Sequence, residues 1–294
     1  LLDALGEVRP ALELGARWLD AHRPAAGPVR TVHGDFRLGN LLVGVEGLRA
    51  VLDWELAHQG DPVEDIGWLC APAWRFGGPA RVGGFGDLGV LLEAYEAAGG
   101  RAVDPAEVVW WEAYGTMKWA VVCGLQASAH LSGSTRSVEL AAIGRRICES
   151  EWDLLTLMGI EPDAPVVAEP NPDRSPLTTS PFGRPTAEEL VEAVSEYLES
   201  GVMERSTGRS AFEARVARNA LQVVEREMRL GPGIADDHAG RLSGLGVASD
   251  RDLVTAIRSG RFDDDWQRVG RVLAASARDQ LRVANPAYLE RPRL

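Results

Sequence analysis

The stretch Thr31-Val32-His33-Gly34-Asp35-Phe36-Arg37-Leu38-Gly39-Asn40-Leu41-Leu42-Val43, followed by Val51-Leu52-Asp53-Trp54-Glu55, decides how the rest of the chain is read. Asp35 and Asn40 stand five residues apart, and Asp53 lies thirteen beyond Asn40. The apolar runs Leu41–Val43 and Leu48–Leu52 flank Gly44-Val45-Glu46-Gly47, a spacing that predicts a β-hairpin. A hairpin would hold the three polar side chains on a rigid support, which suits a site that must position a metal and a nucleophile accurately. Upstream, Val29–Val32 reads as a strand, and Leu12, Ala16 and Leu19 behind Pro10 read as one face of a helix. Downstream the pattern turns helical. Asp61-Pro62 opens one helix, Leu88–Ala98 ends at Gly99-Gly100, Asp104-Pro105-Ala106-Glu107 starts a helix to about Leu131, and Val138–Met158 is stopped by Gly159. The prediction is an α+β, mostly helical domain with a small β element.

Composition sets the outer limits. With 294 residues, 45% of them hydrophobic, the chain can bury a large core. Its 43 acidic and 31 basic residues leave a net charge of -12, which argues against a nucleic-acid or anionic-membrane partner. Cys70, Cys123 and Cys148 are too few and too scattered for a disulfide framework or a zinc site. With no signal peptide and no 18-residue apolar run, the expected location is cytoplasmic. Seven prolines fall between Glu161 and Pro185, a linker composition. The expected organisation is therefore a first domain at 1–165, a proline-rich linker at 166–184, and a second domain at 185–294 that reads as an all-α bundle of four or five helices. In the latter, Thr186-Ala187-Glu188-Glu189 is a capping box and Phe212–Leu230 a helix ending at Gly231-Pro232; Ser249–Ser259 and Trp266–Val283 follow. Asp263-Asp264-Asp265 reads as helix N-terminal charge rather than a metal site, and His238 beside Asp236-Asp237 as a polar helix start.

The chemistry follows from the residue types. His33-x-Asp35-x-x-x-x-Asn40 with a later Asp53 matches the phosphotransfer pattern, in which a carboxylate accepts the proton of a hydroxyl nucleophile. Triphosphate charge is neutralised there by Mg²⁺, which prefers oxygen ligands such as Asn and Asp side chains. The segments His33-Gly34-Asp35-Phe36-Arg37, Leu52-Asp53-Trp54-Glu55 and Gly60-Asp61-Pro62 through Asp65-Ile66-Gly67-Trp68 resemble the aminoglycoside phosphotransferase/choline kinase family, which is related to protein kinases. The phrasing is most similar to the branch of kinase-like domains fused to acyl-CoA dehydrogenases, implicated in phosphorylating hydroxyacyl-CoA. The resemblance covers roughly residues 1–160 and corresponds to the family's C-terminal lobe. Residues 184–290 resemble an uncharacterised helical domain of some bacterial members.

The resemblance implies ATP and Mg²⁺ as cofactors and a small hydroxyl compound as acceptor, with a hydroxyacyl-CoA and an aminoglycoside-like compound both open. Asp35 would be the catalytic base, and Asn40 and Asp53 the Mg²⁺ ligands. His33 and Asp65 would brace the loop. Arg37 could stabilise the transferring phosphoryl or form a surface salt bridge. Glu55 and Asp61 read as structural, Asp61 as a helix cap. Gly83-Gly84-Phe85-Gly86-Asp87-Leu88-Gly89 reads as a flexible loop over the substrate site; the paired tryptophans and His22, His58 and His130 read as core or surface residues. The family's smaller N-terminal lobe needs a lysine on a strand, yet the chain's sole lysine, Lys118, falls in a predicted helix after the motif. Three explanations stand: a fragment, which the initial Leu1 favours; a partner chain supplying the lobe; or a degenerate kinase kept as a binding or scaffold module. The chain alone is expected to be inactive.

Overall fold

The computed structural model describes residues 7–161 and 185–291, so the expected linker at 166–184 lies outside the described residues. Helix α1 (Pro10–Ala21) begins with Pro10 in its first turn, where a missing N–H costs nothing. Two antiparallel pairs follow. Strand β1 (Arg30–Val32) pairs with β4 (His58–Gly60), and β2 (Leu41–Gly44) pairs with β3 (Gly47–Val51) as the expected hairpin, with a register irregularity at Leu42/Val43. Helices α2 (Val63–Cys70), α3 (Leu88–Ala97) and α4 (Pro105–Leu131) come next. The side chains of Asp87 and Asp104 cap α3 and α4 by accepting N–H bonds. The expected mostly helical α+β architecture is what the chain adopts. No described helix is long and apolar enough to cross a membrane.

Helix α4 is the axis of the first half. It packs against α2 closely because Gly67 has no side chain: a Cβ there would sit 2.4 Å from the Cβ of Trp111. That approach brings Asp65 and Trp68 of α2 to the loop after β1. The continuous helix expected over Val138–Met158 is instead two, α5 (Val138–Gly144) and α6 (Ile147–Leu157). The break allows Gly144 to lie against Ala127 of α4 while α6 turns back onto the same helix. Gly83-Gly84-Phe85-Gly86 is not a free loop. It folds on itself through Val82 and Gly86, with Val82 buried and Gly83 N–H bonded to the Leu69 carbonyl.

After residue 185 come α7 (Ala187–Glu196), opened by the Thr186 capping box, then α8 (Gly208–Gly244), α9 (Asp250–Arg258) and α10 (Trp266–Ala284). Helix α8 runs through Pro232, where a stop was expected. Pro232 is exposed, and α8 is tied to α10 on both sides of it: Arg226 donates to the Val283 carbonyl at 2.6 Å, and Arg241 pairs with Asp279. Packing overrides the local cost of the missing bond. His238 is accordingly mid-helix, not at a helix start, and is bonded to Ser276 and Asp250. Helices α9 and α10 share one apolar cluster with α1, α4 and α6: Leu253, Ile257, Val269 and Leu273 meet Leu12, Leu154 and Leu155. Arg17–Asp263 at 2.6 Å and Arg258–Glu13 at 2.8 Å close the rim, giving the first residue of the acidic run an ion-pair partner. The three cysteines are free and buried, their thiols pushed up to about 12 by burial.

Three carboxyls on α6, Glu149, Glu151 and Asp153, are buried, and the last two are strongly shifted. Burial pushes Glu151 up to about 7, opposed by Arg9, whose guanidinium is 3.6 Å away. Burial likewise pushes Asp153 up to about 7; the Tyr288 hydroxyl, donating at 2.6 Å, and Arg75 oppose the rise, while Glu149 and Glu112 add to it. The native state thus keeps the Asp153 proton where the unfolded chain has lost it. Stability from this group falls as pH rises from the ordinary carboxylate range towards 7, then levels off. Asp153→Asn removes that dependence. The melting temperature of the variant minus that of wild type should become more positive by about 2–6 °C between about pH 5 and pH 8. A difference that does not change with pH would show that Asp153 ionises normally in the fold.

Candidate active site

The loop from His33 to Asn40 is fastened from two helices. Asp65, in the first turn of α2, accepts the N–H groups of His33 at 2.7 Å and Gly34 at 2.9 Å. Lys118 of α4 donates to the Gly34 carbonyl at 2.9 Å. Gly34 has φ +83°, and a Cβ there would meet the Leu56 carbonyl oxygen at 2.5 Å, so only glycine fits between loop and neighbour. His33, 2% exposed, carries its proton on Nε2, which bonds the Leu52 carbonyl at 2.9 Å, while Nδ1 accepts the Asp35 N–H at 3.2 Å. Its ring lies 4.5 Å from that of Trp54.

This brace aims Asp35. The carboxylate receives Trp68 Nε1 at 2.9 Å, Asn40 Nδ2 at 2.7 Å, and Arg37 Nε at 3.1 Å to both oxygens. Three donors from three directions leave it one orientation. Asn40, on the single 3₁₀ turn before β2, spends its other amide bond on the Asp35 carbonyl at 2.9 Å. Its Oδ1 is left with no hydrogen-bond donor among the described residues. The Asn40 carbonyl accepts the Leu52 N–H at 2.8 Å, so Leu52 clasps both Asn40 and His33 and delivers Asp53 next to them in the chain. Asp53 is exposed and left-handed, at φ 68° and ψ 62°, a conformation that Asp tolerates better than bulky residues.

The structure therefore gathers His33, Asp35, Arg37, Asn40 and Asp65 into one hydrogen-bonded group, with Asp53 tethered to it through Leu52. Arg37 pairs with Asp35 and places its guanidinium carbon 4.9 Å from the Trp74 ring, and it is only partly exposed. Asp61 accepts the Val63 N–H at 3.0 Å, as a cap should. Glu55 forms no ion pair among the described residues. Trp68 and Lys118 were not legible as site residues. Trp68 sits three after Asp65, on the same face of α2, and that spacing was the available signal. Lys118 lies 4.8 Å over the Trp68 ring and 3.6 Å from Glu64. Glu64 also meets His58, whose pKa is raised chiefly by its bond to the Leu56 carbonyl, with burial and Lys118 opposing.

The donor set suits a hard divalent cation. Asn40 Oδ1 and the exposed Asp53 carboxylate are oxygen donors on one backbone clasp that could hold such an ion, and Mg²⁺ commonly takes one or two protein oxygens and completes its shell with water and phosphate. The described residues contain no group of three or more His, Cys, Asp or Glu side chains that could hold a metal by themselves.

Residues 1–117, the segment carrying this site, match the phosphotransferase enzyme family. Residues 204–288 match a domain of unknown function, DUF6285. Mouse acyl-CoA dehydrogenase family member 10 is 46% identical over 63 residues, 21% of this chain and 6% of that protein. A solved structure from Ralstonia eutropha JMP134, provisionally described as an aminoglycoside phosphotransferase, is 26% identical with a TM-score of 0.42, covering 49% of this chain and 47% of the other. The chain thus spans a small part of the first relative and about half of the second.

The double bond from Asp65 yields a stability test. Asp65→Ala leaves the His33 and Gly34 N–H groups without their charged acceptor, so the variant should lose about 2–3 kcal/mol in urea unfolding at an unchanged denaturant slope. A loss within about 0.5 kcal/mol would mean that water replaces the carboxylate at no cost.

Proposed function

We propose that this chain contributes the acceptor-activating and metal-holding half of an ATP- and Mg²⁺-dependent phosphotransferase acting on a hydroxyl of a small molecule. The observation that carries the reading is the arrangement of Asp35: a carboxylate fixed by Trp68, Arg37 and Asn40, beside an Asn40 oxygen and an Asp53 carboxylate that have no side-chain partners among the described residues. Asp35 would accept the hydroxyl proton and aim the oxygen at the γ-phosphorus. Mg²⁺ on Asn40 and Asp53 would neutralise triphosphate charge when bound. With its Nε committed to Asp35, Arg37 keeps its terminal nitrogens for the transferring phosphoryl. The likeness to part of an acyl-CoA dehydrogenase family member supports a hydroxyacyl-CoA acceptor over a cationic aminoglycoside. A panel of hydroxyacyl-CoAs, aminoglycosides and choline-like alcohols with Mg-ATP separates the two.

A second reading, a kinase-like module that binds without transferring, is favoured by one feature. Leu42, Leu48, Leu52, Trp54 and Leu56 around the hairpin are each about half exposed. Among the described residues no strand carries a lysine, and Lys118 is already committed to the loop. An apolar platform of this kind suits a bound partner, and without a strand lysine the described residues offer no such hold on a triphosphate.

Two measurements follow. Purified 1–294 should show negligible phosphotransfer, and robust turnover would overturn the need for a covering lobe. In a preparation that includes such a lobe and turns over substrate, Asp35→Asn should lower the rate by about 10²–10⁴-fold while Mg-ATP binding stays within a few-fold. Retained turnover would remove Asp35 as the base.

A further inference from the structure

A cavity of about 390 Å³ lies where the two halves of the chain meet, and none of Asp35, Arg37, Asn40 and Asp53 lines it. Its size is that of a small-molecule site. One wall is Arg75 and Arg81 around the fully buried Glu112; the facing wall is Trp152 and Asp153 of α6 with Tyr288 and Arg291 from the turn after α10.

The charges in it do not cancel. Glu112 takes Arg75 Nη2 at 2.5 Å on one oxygen and Arg81 Nη2 at 2.7 Å on the other, so two guanidiniums share one carboxylate. Arg75 Nε bonds the Cys70 carbonyl and Arg81 Nε bonds Glu112, which leaves Nη1 of each without a protein acceptor among the described residues. Arg291 stacks over Tyr288, with its guanidinium carbon 4.3 Å from the ring, and adds a third cation. Asp153, which titrates near neutral pH and receives the Tyr288 hydroxyl, offsets only part of this charge. The rest of the lining is mostly apolar, including Trp152, Val109, Leu157 and Leu289, with Thr156 among it.

We propose that this cavity binds a small organic anion, one carboxylate or phosphate head on an apolar body, with the head on the free Arg75 and Arg81 nitrogens and the body against Trp152 and Tyr288. The helical segment would then complete a binding site that the phosphotransferase-family domain has only in half.

The test is calorimetric titration of the 1–294 chain with hexanoate, benzoate and phenyl phosphate, with hexanol, benzamide and inorganic phosphate as controls. At least one of the organic anions should bind saturably, with its neutral counterpart and inorganic phosphate at least about tenfold weaker. Arg81→Gln should weaken that anion about tenfold. Thr156→Trp, which fills the cavity without removing a charge, should abolish binding while melting cooperatively. Asp35→Asn should leave the affinity unchanged, because the site is independent of the phosphotransfer reading. Absence of saturable binding by every organic anion, indifference to both cavity variants, or loss of binding in Asp35→Asn would overturn the proposal.

Discussion

The carboxylate of Asp65 on two successive backbone N–H groups is the constraint from which the geometry of the candidate site follows. A loop that must leave a strand and double back exposes amide groups that no ladder satisfies, and leaving them unpaired in a partly buried place is expensive. Asp65 meets that need from a helix whose own position is fixed by the contact of Gly67 with Trp111. Because α2 also carries Trp68 on the same face, the element that anchors the loop backbone also delivers a donor to Asp35. Backbone placement and carboxylate orientation therefore share one cause. His33 extends the constraint across the hairpin, since its two ring nitrogens read Asp35 on one side and Leu52 on the other.

The parts legible in the sequence were those set by local rules. Gly44 through Gly47 specified a hairpin, and the caps at Asp104 and Thr186 specified helix starts that the structure repeats. The spacing of His33, Asp35, Asn40 and Asp53 picked out side chains that the structure brings together, because such spacing on a rigid turn has few geometrical solutions. Illegible were features decided by contacts distant in sequence. Pro232 reads locally as a stop, but side-chain ties to α10 on either side of it carry the helix through. His238 looks like a polar end for the same reason, and its partners lie 12 and 38 residues away. The break between α5 and α6 comes from packing on α4, which no local window contains.

The seam between the halves shows the same division. Its apolar component, α1, α4 and α6 against α9 and α10, is ordinary amphipathic packing. Its polar component is costlier: Glu112, Glu151 and Asp153 are all removed from water, and only Glu112 receives two guanidiniums. Replacing such groups with apolar ones is often neutral or stabilising, so their presence argues for a use other than stability. A cavity with surplus guanidinium nitrogens at the same place gives that use a chemical form.

Lys118 is the residue whose meaning the structure changes most. By sequence it marked the absence of a strand lysine, and it is indeed on a helix after the motif. Its ammonium nevertheless bonds the Gly34 carbonyl, lies over Trp68 and approaches Glu64, three partners in three directions. A tetrahedral ammonium on a flexible stem can serve such a set. The planar fork of a guanidinium directs its donors within one plane and would give up one of the three contacts. In a chain that otherwise uses arginine for every basic position, the one lysine stands where a point charge is required. That place is the back of the loop carrying Asp35, so Lys118 works on the candidate site from behind and not on a nucleotide in front of it.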